Sequence, residues 1–369
     1  MNNYYIKKNL KTIDILSLNW SNKTQYELNT MIPLKKKFTI SPEDIAQLIQ
    51  THYANLMPSF YELQSNFLCG IYKRYGSIET ANIILCFARN VHLEIIRQRE
   101  RDLNFNVSLE NFWKNFNLII KPTEKITSVV KITGIPKETV RRKIKNLLEE
   151  GHLGRDKKSK SFFWKLESKE KDSFFQIIES ETKNLSIFIS RIVKDLGLQS
   201  SNKIINNKII EDEIISQFSF YWFHYLSCQL EWLKWWQLKF KDNDLLLIAL
   251  QATIPTLQFI DKNMKSVNVD DVFKIIGGVN KSDCSNCSIS ATSVSEVTGI
   301  PRATAIRKLE KLVNLGFLVR ETKTKRYSIN QSTDSRTKNI MHQDNVNYTI
   351  KTFCDYIAII LNSLIHNKL

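Results

Sequence analysis

The sequence predicts a mainly α protein with small β-hairpins, built twice over in a single chain of 369 residues. Three observations predict it. Aligned without a gap at an offset of 165, residues 127–155 and 292–320 are identical at 14 of 29 positions, where chance gives roughly two. Elsewhere the apolar and aromatic residues fall into long helical stretches. Apart from the two short segments that follow the repeated blocks, nothing reads as strand.

In chain order, residues 1–40 show no strong periodicity, contain "PLKKKF" (33–38) and are expected to form an N-terminal tail. The first repeat, 41–202, holds an aromatic-rich helix around "FYELQSNFLCGIYKRY" (60–75) and a shorter one at "LENFWKNF" (109–116). A compact motif at 127–166 and a closing helix at 173–196 complete it. "GLQSSNKIINNK" (197–208) is polar and Gly/Ser/Asn-rich, a linker that puts the boundary near residue 203. The second repeat, 203–369, runs in the same order: "FYWFHYLSCQLEWLKWW" (220–236), "DDVFKII" (270–276), a motif at 292–331 and a closing helix at 345–367. Phe273 stands there in the role of Trp113.

Within the second motif, "ATSVSEVTG" (291–299) places Val294 and Val297 three apart on a short helix that Gly299 ends by turning the chain at positive φ. Pro301 suits a first helical position, where its missing N–H is not needed. Ala305, Leu309, Leu312 and Val313 then share one helical face until Gly316. "FLVRETKTKRYSI" (317–329) reads as strand, polar turn, strand. The first motif matches, with Val129 and Ile132, Gly134, Pro136, the face Val140, Ile144, Leu147 and Leu148, Gly151 and the hairpin "GRDKKSKSFFWKL" (154–166). Short helix, Gly turn, longer helix and basic hairpin together make a winged helix-turn-helix. The expected fold is two such domains embedded in a helical pseudo-dimer.

Charge is concentrated on these motifs. The chain carries +16, with 53 Lys+Arg against 37 Asp+Glu, a surplus that favours a polyanionic partner. Residues 136–165 and 301–330 each hold +6 of it. Away from the first apolar face lie Lys137, Arg141, Arg142 and Lys145, with Lys157, Lys158 and Lys160 in the hairpin turn, and Thr139 and Lys143 on the same helix are grouped with them. Their counterparts are Arg302, Thr304, Ile306, Arg307 and Lys308 on the helix, with Lys323, Lys325 and Arg326 in the turn. These residues are the expected contacts to double-stranded DNA. A charged outer helix face is usually only solvated, but that reading does not account for two copies with matching basic hairpins.

The phrase "VTGIPRATAIRKLEKLVNLGFLVRE" resembles the recognition segment of bacterial winged helix-turn-helix regulators, the broad MarR/IclR/GntR-like set. Long helices before and after the domain are similar to the MarR type. There such helices pair two subunits about a twofold axis, and the winged domains enter successive major grooves. The resemblance covers the two domains of roughly 40 residues and singles out no subfamily. It implies that one polypeptide supplies both half-site readers, with recognition helices at 136–150 and 301–315 and wings at about 155–163 and 320–327.

A fused duplicate need not read two identical half-sites. Thr139/Thr304, Arg142/Arg307 and Lys143/Lys308 are retained, which suits phosphate anchoring. Lys137/Arg302, Glu138/Ala303 and Arg141/Ile306 differ, which suits base edges. The expectation is an asymmetric operator with half-sites about 34 Å apart; the competing reading has Ile306 packed internally.

Other features are discounted. "CSNC" (284–287) lacks the second ligand pair that tetrahedral zinc requires, so Cys284 and Cys287 read as loop, with a redox or metal sensor as the minor alternative. The six histidines show no ligand spacing. Tyr221, Trp222, Phe223, Tyr225, Trp232, Trp235 and Trp236 are expected at the seam between halves, with an effector pocket as the lesser reading. No phosphate loop, nucleophile elbow or spaced carboxylate pair stands out, so neither an enzyme nor a cofactor is expected. No signal peptide or uninterrupted apolar span is visible, so a cytoplasmic protein without a membrane is expected. It would be a monomeric pseudo-dimer or a weak homodimer. The leading function is transcription regulation, a small-molecule effector being left open. The alternatives are a replication-initiator-like DNA-binding protein and a winged-helix scaffold for protein partners.

Overall fold

The computed structural model describes residues 39–197, 205–264, 267–278, 287–330 and 343–368. The tail over residues 1–38, the boundary near residue 203 and Cys284 lie outside the described residues. The first repeat comprises α1 (Pro42–Thr51), α2 (Tyr53–Tyr75), α3 (Ile78–Arg101), α4 (Leu109–Leu118), α5 (Ile126–Thr133) and α6 (Lys137–Glu149). The hairpin β1 (Leu153–Arg155) and β2 (Phe162–Trp164) and the closing α7 (Lys171–Asp195) follow. The second comprises α8 (Asn207–Ser216), α9 (Phe218–Phe240), α10 (Asn243–Asn263), α11 (Val269–Gly278), α12 (Ala291–Thr298) and α13 (Arg302–Asn314). It ends in β3 (Leu318–Arg320), β4 (Tyr327–Ile329) and α14 (Gln343–Lys368). The architecture is therefore mainly helical, with two small antiparallel two-stranded hairpins.

The duplication reaches well beyond the block of sequence identity. Helices α1, α2 and α3 begin 165 residues before α8, α9 and α10, and α5, α6, β1 and β2 keep the same offset to α12, α13, β3 and β4. Equivalent turns are made by different residues. After α2 the chain turns through Gly76 at φ 71°, and after α9 through Lys241 at φ 58°. Ser77 then caps α3, accepting from the Thr80 N–H, and Asp242 caps α10, accepting from the Asp244 N–H. Serine takes the N–H three residues on and aspartate the N–H two residues on, so each satisfies one first-turn donor of its helix.

The repeats interlock rather than sit side by side. α2 packs along α10 and α3 along α9, while α1 lies on α14 and α8 on α7. Each long helix thus buries its apolar face against the other repeat, and Ile40–Leu369 forms one compact unit. The pseudo-twofold relation is visible where α2 and α9 cross. The equivalent residues Gln64 and Gln229 meet there, fully buried, the Gln229 Nε2 donating to Gln64 Oε1 at 2.8 Å. Around them Phe60–Trp232 and Phe67–Tyr225 are the same contact made from either side, at ring separations of 6.5 and 5.6 Å. Tyr221, Trp222, Tyr225 and Trp232 are buried, which is the expected place for aromatic side chains between halves.

Two details differ from expectation. Ile40 belongs to the body rather than to the tail: it is buried, and its N–H and C=O both pair with the Asn362 amide at 2.9 Å. Val297 is 52% exposed; α12 buries Ala291, Val294 and Thr298 instead. Among the described residues α10 alone is long and apolar enough to cross a membrane, and 61% of that stretch is buried inside the protein.

His92, on α3, stacks on Phe112 at 4.9 Å and meets Phe218 edge-on at 5.2 Å. Burial lowers its pKa to about 3. Its folded pKa is below its unfolded value of about 6.5, so the unfolded chain binds the extra proton between those values. The associated stability is complete above pH 6.5 and is lost as pH falls toward 3. Urea midpoints should therefore drop between pH 7 and pH 5 in the parent protein. They should drop less in His92→Leu, which carries the residue found at the equivalent position, Leu257.

Candidate nucleic-acid interface

Each module is a short helix, a tight turn, a longer helix and a hairpin. The turns need glycine: Gly134 and Gly299 have φ of 70° and 75°, a left-handed conformation that costs a residue with a Cβ energy. They also seat the module on the opposite repeat. A Cβ at Gly134 would lie 3.4 Å from the Lys234 Cγ of α9, and one at Gly299 3.4 Å from the Lys73 Cγ of α2. Pro136 and Pro301 stand at the N-cap of α6 and α13, one position ahead of that expected. Val140, Ile144 and Leu147 bury one face of α6, and Ala305, Leu309 and Leu312 the matching face of α13. The hairpins share a register, Leu153 opposite Trp164 and Leu318 opposite Ile329. A further bridge joins each to the segment before the short helix, Glu124 to Phe162 and Ile289 to Tyr327. At Gly154 the Phe163 ring of the facing strand lies over the backbone where a Cβ would stand.

The charged residues divide into two groups. Lys137, Arg141, Arg142 and Lys145 on α6 are exposed, as are Lys157, Lys158 and Lys160 in the first hairpin turn. Arg302 and Arg307 on α13 and Lys323, Lys325 and Arg326 in the second hairpin are exposed too. Thr139 and Thr304 are half-buried. The ion pairs Arg141–Glu138 at 3.5 Å and Lys145–Glu149 at 3.8 Å are solvent-exposed and weak. Arg326 is held at the base of its hairpin by Ser288, its Nε donating to the hydroxyl at 2.8 Å.

Lys143 and Lys308 belong to neither outer face, contrary to expectation. The Lys143 Nζ donates to Ser77 Oγ at 2.8 Å and Thr80 Oγ1 at 2.9 Å, with Glu79 at 3.6 Å. The Lys308 Nζ lies 2.8 Å from Asp242 and 3.1 Å from Asp244. Their side chains are only 15% and 11% exposed. Burial opposes the Lys308 charge, but Asp244 and Asp242 outweigh it and the pKa is raised. The signal was present in the sequence, since each lysine lies three residues after one buried position and four before another, Val140 and Leu147 or Ala305 and Leu312. Ile306 is half-buried and packs against the core, which favours the internal reading over a base contact.

These two lysines place the modules. Lys143 grips the start of α3 and Lys308 the start of α10, and the two starts touch: the Ile78 N–H donates to Asp244 Oδ1 at 3.0 Å. Gln237, at the end of α9, reaches Glu79 at 3.4 Å. Both modules are therefore anchored to one polar platform at the same end of the helical body.

Sequence reasoning also missed Lys125 and Lys131. With Thr127, Ser128 and Ser159 they line an open cleft of about 540 Å³ between α5 and the first hairpin turn. The equivalent residues are Ser290 and Glu296, so this basic wall exists on one module only. Cys287 is buried. Among the described residues no group of His, Cys, Asp or Glu is arranged to hold a metal ion.

No protein-family model, curated protein or solved structure matches the chain.

Lys308→Met should destabilise the protein by roughly 3 kcal/mol, because Asp244 loses its ammonium partner and Asp242 keeps only the exposed Lys311 at 3.7 Å. Lys143→Met should cost about 1 kcal/mol, since its closest partners are hydroxyls that can turn to other acceptors. Denaturant unfolding of the two variants checks the order.

Proposed function

We propose that the chain is a sequence-specific DNA-binding regulator whose modules are winged helix-turn-helix domains. α6 and α13 are the recognition helices and the two hairpins the wings. The observation that carries this reading is the pairing of two basic modules on one platform. Each offers exposed cations on the helix and hairpin surfaces that the body leaves open. Taking away the two platform lysines leaves +5 on each module, enough for several phosphate contacts per half-site.

The proposed roles follow from exposure and chemistry. Arg142 and Arg307 are retained, exposed and outside any ion pair among the described residues, which suits phosphate anchoring. Lys137, Arg141 and Arg302 stand in the first two turns of their helices, where base edges are read. Arg141 has no counterpart of equal reach, because Ile306 is half-buried. Lys125 and Lys131 extend the first module's basic surface beside its wing. The two modules thus read unlike half-sites, the first contributing more of the charge and more of the base contacts.

Selection of bound sequences from a random DNA pool tests the proposal. Two unlike half-sites at fixed spacing are expected; recurring short direct repeats would favour an initiator-like role, and absence of DNA affinity would overturn the reading. Arg142→Ala and Arg307→Ala should each weaken binding to every sequence and reduce the slope of log affinity against log salt by about one. Titrations at three salt concentrations measure both effects. Lys143→Met should leave that slope unchanged.

A further inference from the structure

The two long helices that meet at Gln64 and Gln229 run on to opposite modules. α9 packs on α5 and α2 on α12, so each module rests on a helix of the other repeat. Lys234 of α9 lies over the Gly134 turn and Lys73 of α2 over the Gly299 turn. At Gly299 the Lys73 Cγ and Cε are 3.4 and 3.5 Å from where a Cβ would stand, so the ammonium ends beside the turn. Lys73 stands nine residues after Gln64 and Lys234 five after Gln229, each within about 14 Å of the crossing along its helix. Both lysines are therefore central, close to the pseudo-twofold relation and between the two modules.

The two lysines are not copies of one position. Leu238 is the equivalent of Lys73 and Cys69 the equivalent of Lys234, so each half places a lysine against the opposite glycine turn from a site of its own. A stem alone would seal the turn, but an apolar residue suffices for that, and Leu238 already lies 3.8 Å from the Cβ position at Gly134. Lys73 is exposed and Lys234 half-buried, and neither enters an ion pair among the described residues. The carboxylates at this end of the body are engaged elsewhere, Glu79 with Lys143, Asp242 and Asp244 with Lys308, and Glu170 with Arg74. Each turn leads into a helix whose N-cap is a proline without a side-chain acceptor. The positive end of that helix therefore lies beside the lysine. Glu138, in the first turn of α6, is paired with Arg141. Like charges so placed repel until an anion joins them.

We propose that Lys73 and Lys234 hold phosphates of the DNA that runs between the two half-sites, so that the helical body is part of the DNA surface along with the modules. The inference rests on the DNA-binding reading. A duplex gripped by both recognition helices crosses the central region where these lysines stand. Phosphate contact carries no sequence information, so the spacer is held without being read.

The test is DNA titration of the full chain at three salt concentrations with Lys73→Met and Lys234→Met, singly and together, on a duplex carrying the selected half-sites. Methionine keeps an apolar stem over the glycine and removes the charge, so urea midpoints should stay at the parent value. Each substitution should reduce the slope of log affinity against log salt by about one, and the pair by about two, with the preference among sequences unchanged. Neutral methylphosphonates in the spacer should weaken binding of the parent and weaken that of the double variant far less. Lys73→Gln and Lys234→Gln replace any methionine variant that does not fold. An unchanged slope, or methylphosphonates that weaken parent and double variant alike, would overturn the central contact. The DNA reading would survive that result if Arg142→Ala and Arg307→Ala still lower the slope. A parent chain without DNA affinity would overturn both.

Discussion

Two helices begin at nearly the same point in this molecule, and that convergence constrains everything attached to it. The N-termini of α3 and α10 each carry partial positive charge, and two lysine ammonium groups arrive from α6 and α13. Left alone, four positive ends would repel in a region with little water. Glu79, Asp242 and Asp244 supply the compensating carboxylates, and Ser77 and Thr80 the remaining acceptors. Because Asp244 serves both the Lys308 ammonium and the Ile78 N–H, the second module is tied to the first repeat's α3 as well as to its own α10. The orientation of both modules depends on this cluster.

Interlocking makes the arrangement a single body. Each repeat completes the other's core, and the glutamine pair at the crossing of α2 and α9 lies where the two copies of one position meet. A homodimer would impose the same residue on both sides of every such contact. Fusion removes that demand, and the two halves have diverged where divergence is tolerated. The first platform site is built of hydroxyls and one carboxylate, the second of two aspartates. The first core is packed with rings, and the second has an apolar void with a buried indole donor.

The two halves therefore offer different surfaces and different interiors on one frame. The first presents more exposed cations, including a basic cleft beside its hairpin. The second is the more tightly clamped and has a small apolar cavity near its hairpin root. An asymmetric DNA reader is the proposed function these differences support best.

The sequence by itself determined the modules. The Gly turns, the Pro starts, the buried faces of α6 and α13 and the hairpins all follow from short-range rules, because turn chemistry and helical periodicity act over a few residues. The offset of 165 was legible there as well, but only as identity within one block. The structure carried that offset into α1–α3 and α8–α10, where the residues have changed and the backbone has not. Helical spacing set Lys143 and Lys308 between buried positions, and tertiary structure decided what they meet there. Lys143 and Lys308 read as outer-face residues by type and turned inward because carboxylates distant in sequence were brought beneath them. Val297, expected on a buried face, is exposed, and the cavity exists only where several separate elements meet. Such outcomes depend on which side chains from remote segments share one volume, and periodicity along a single helix contains no information about that.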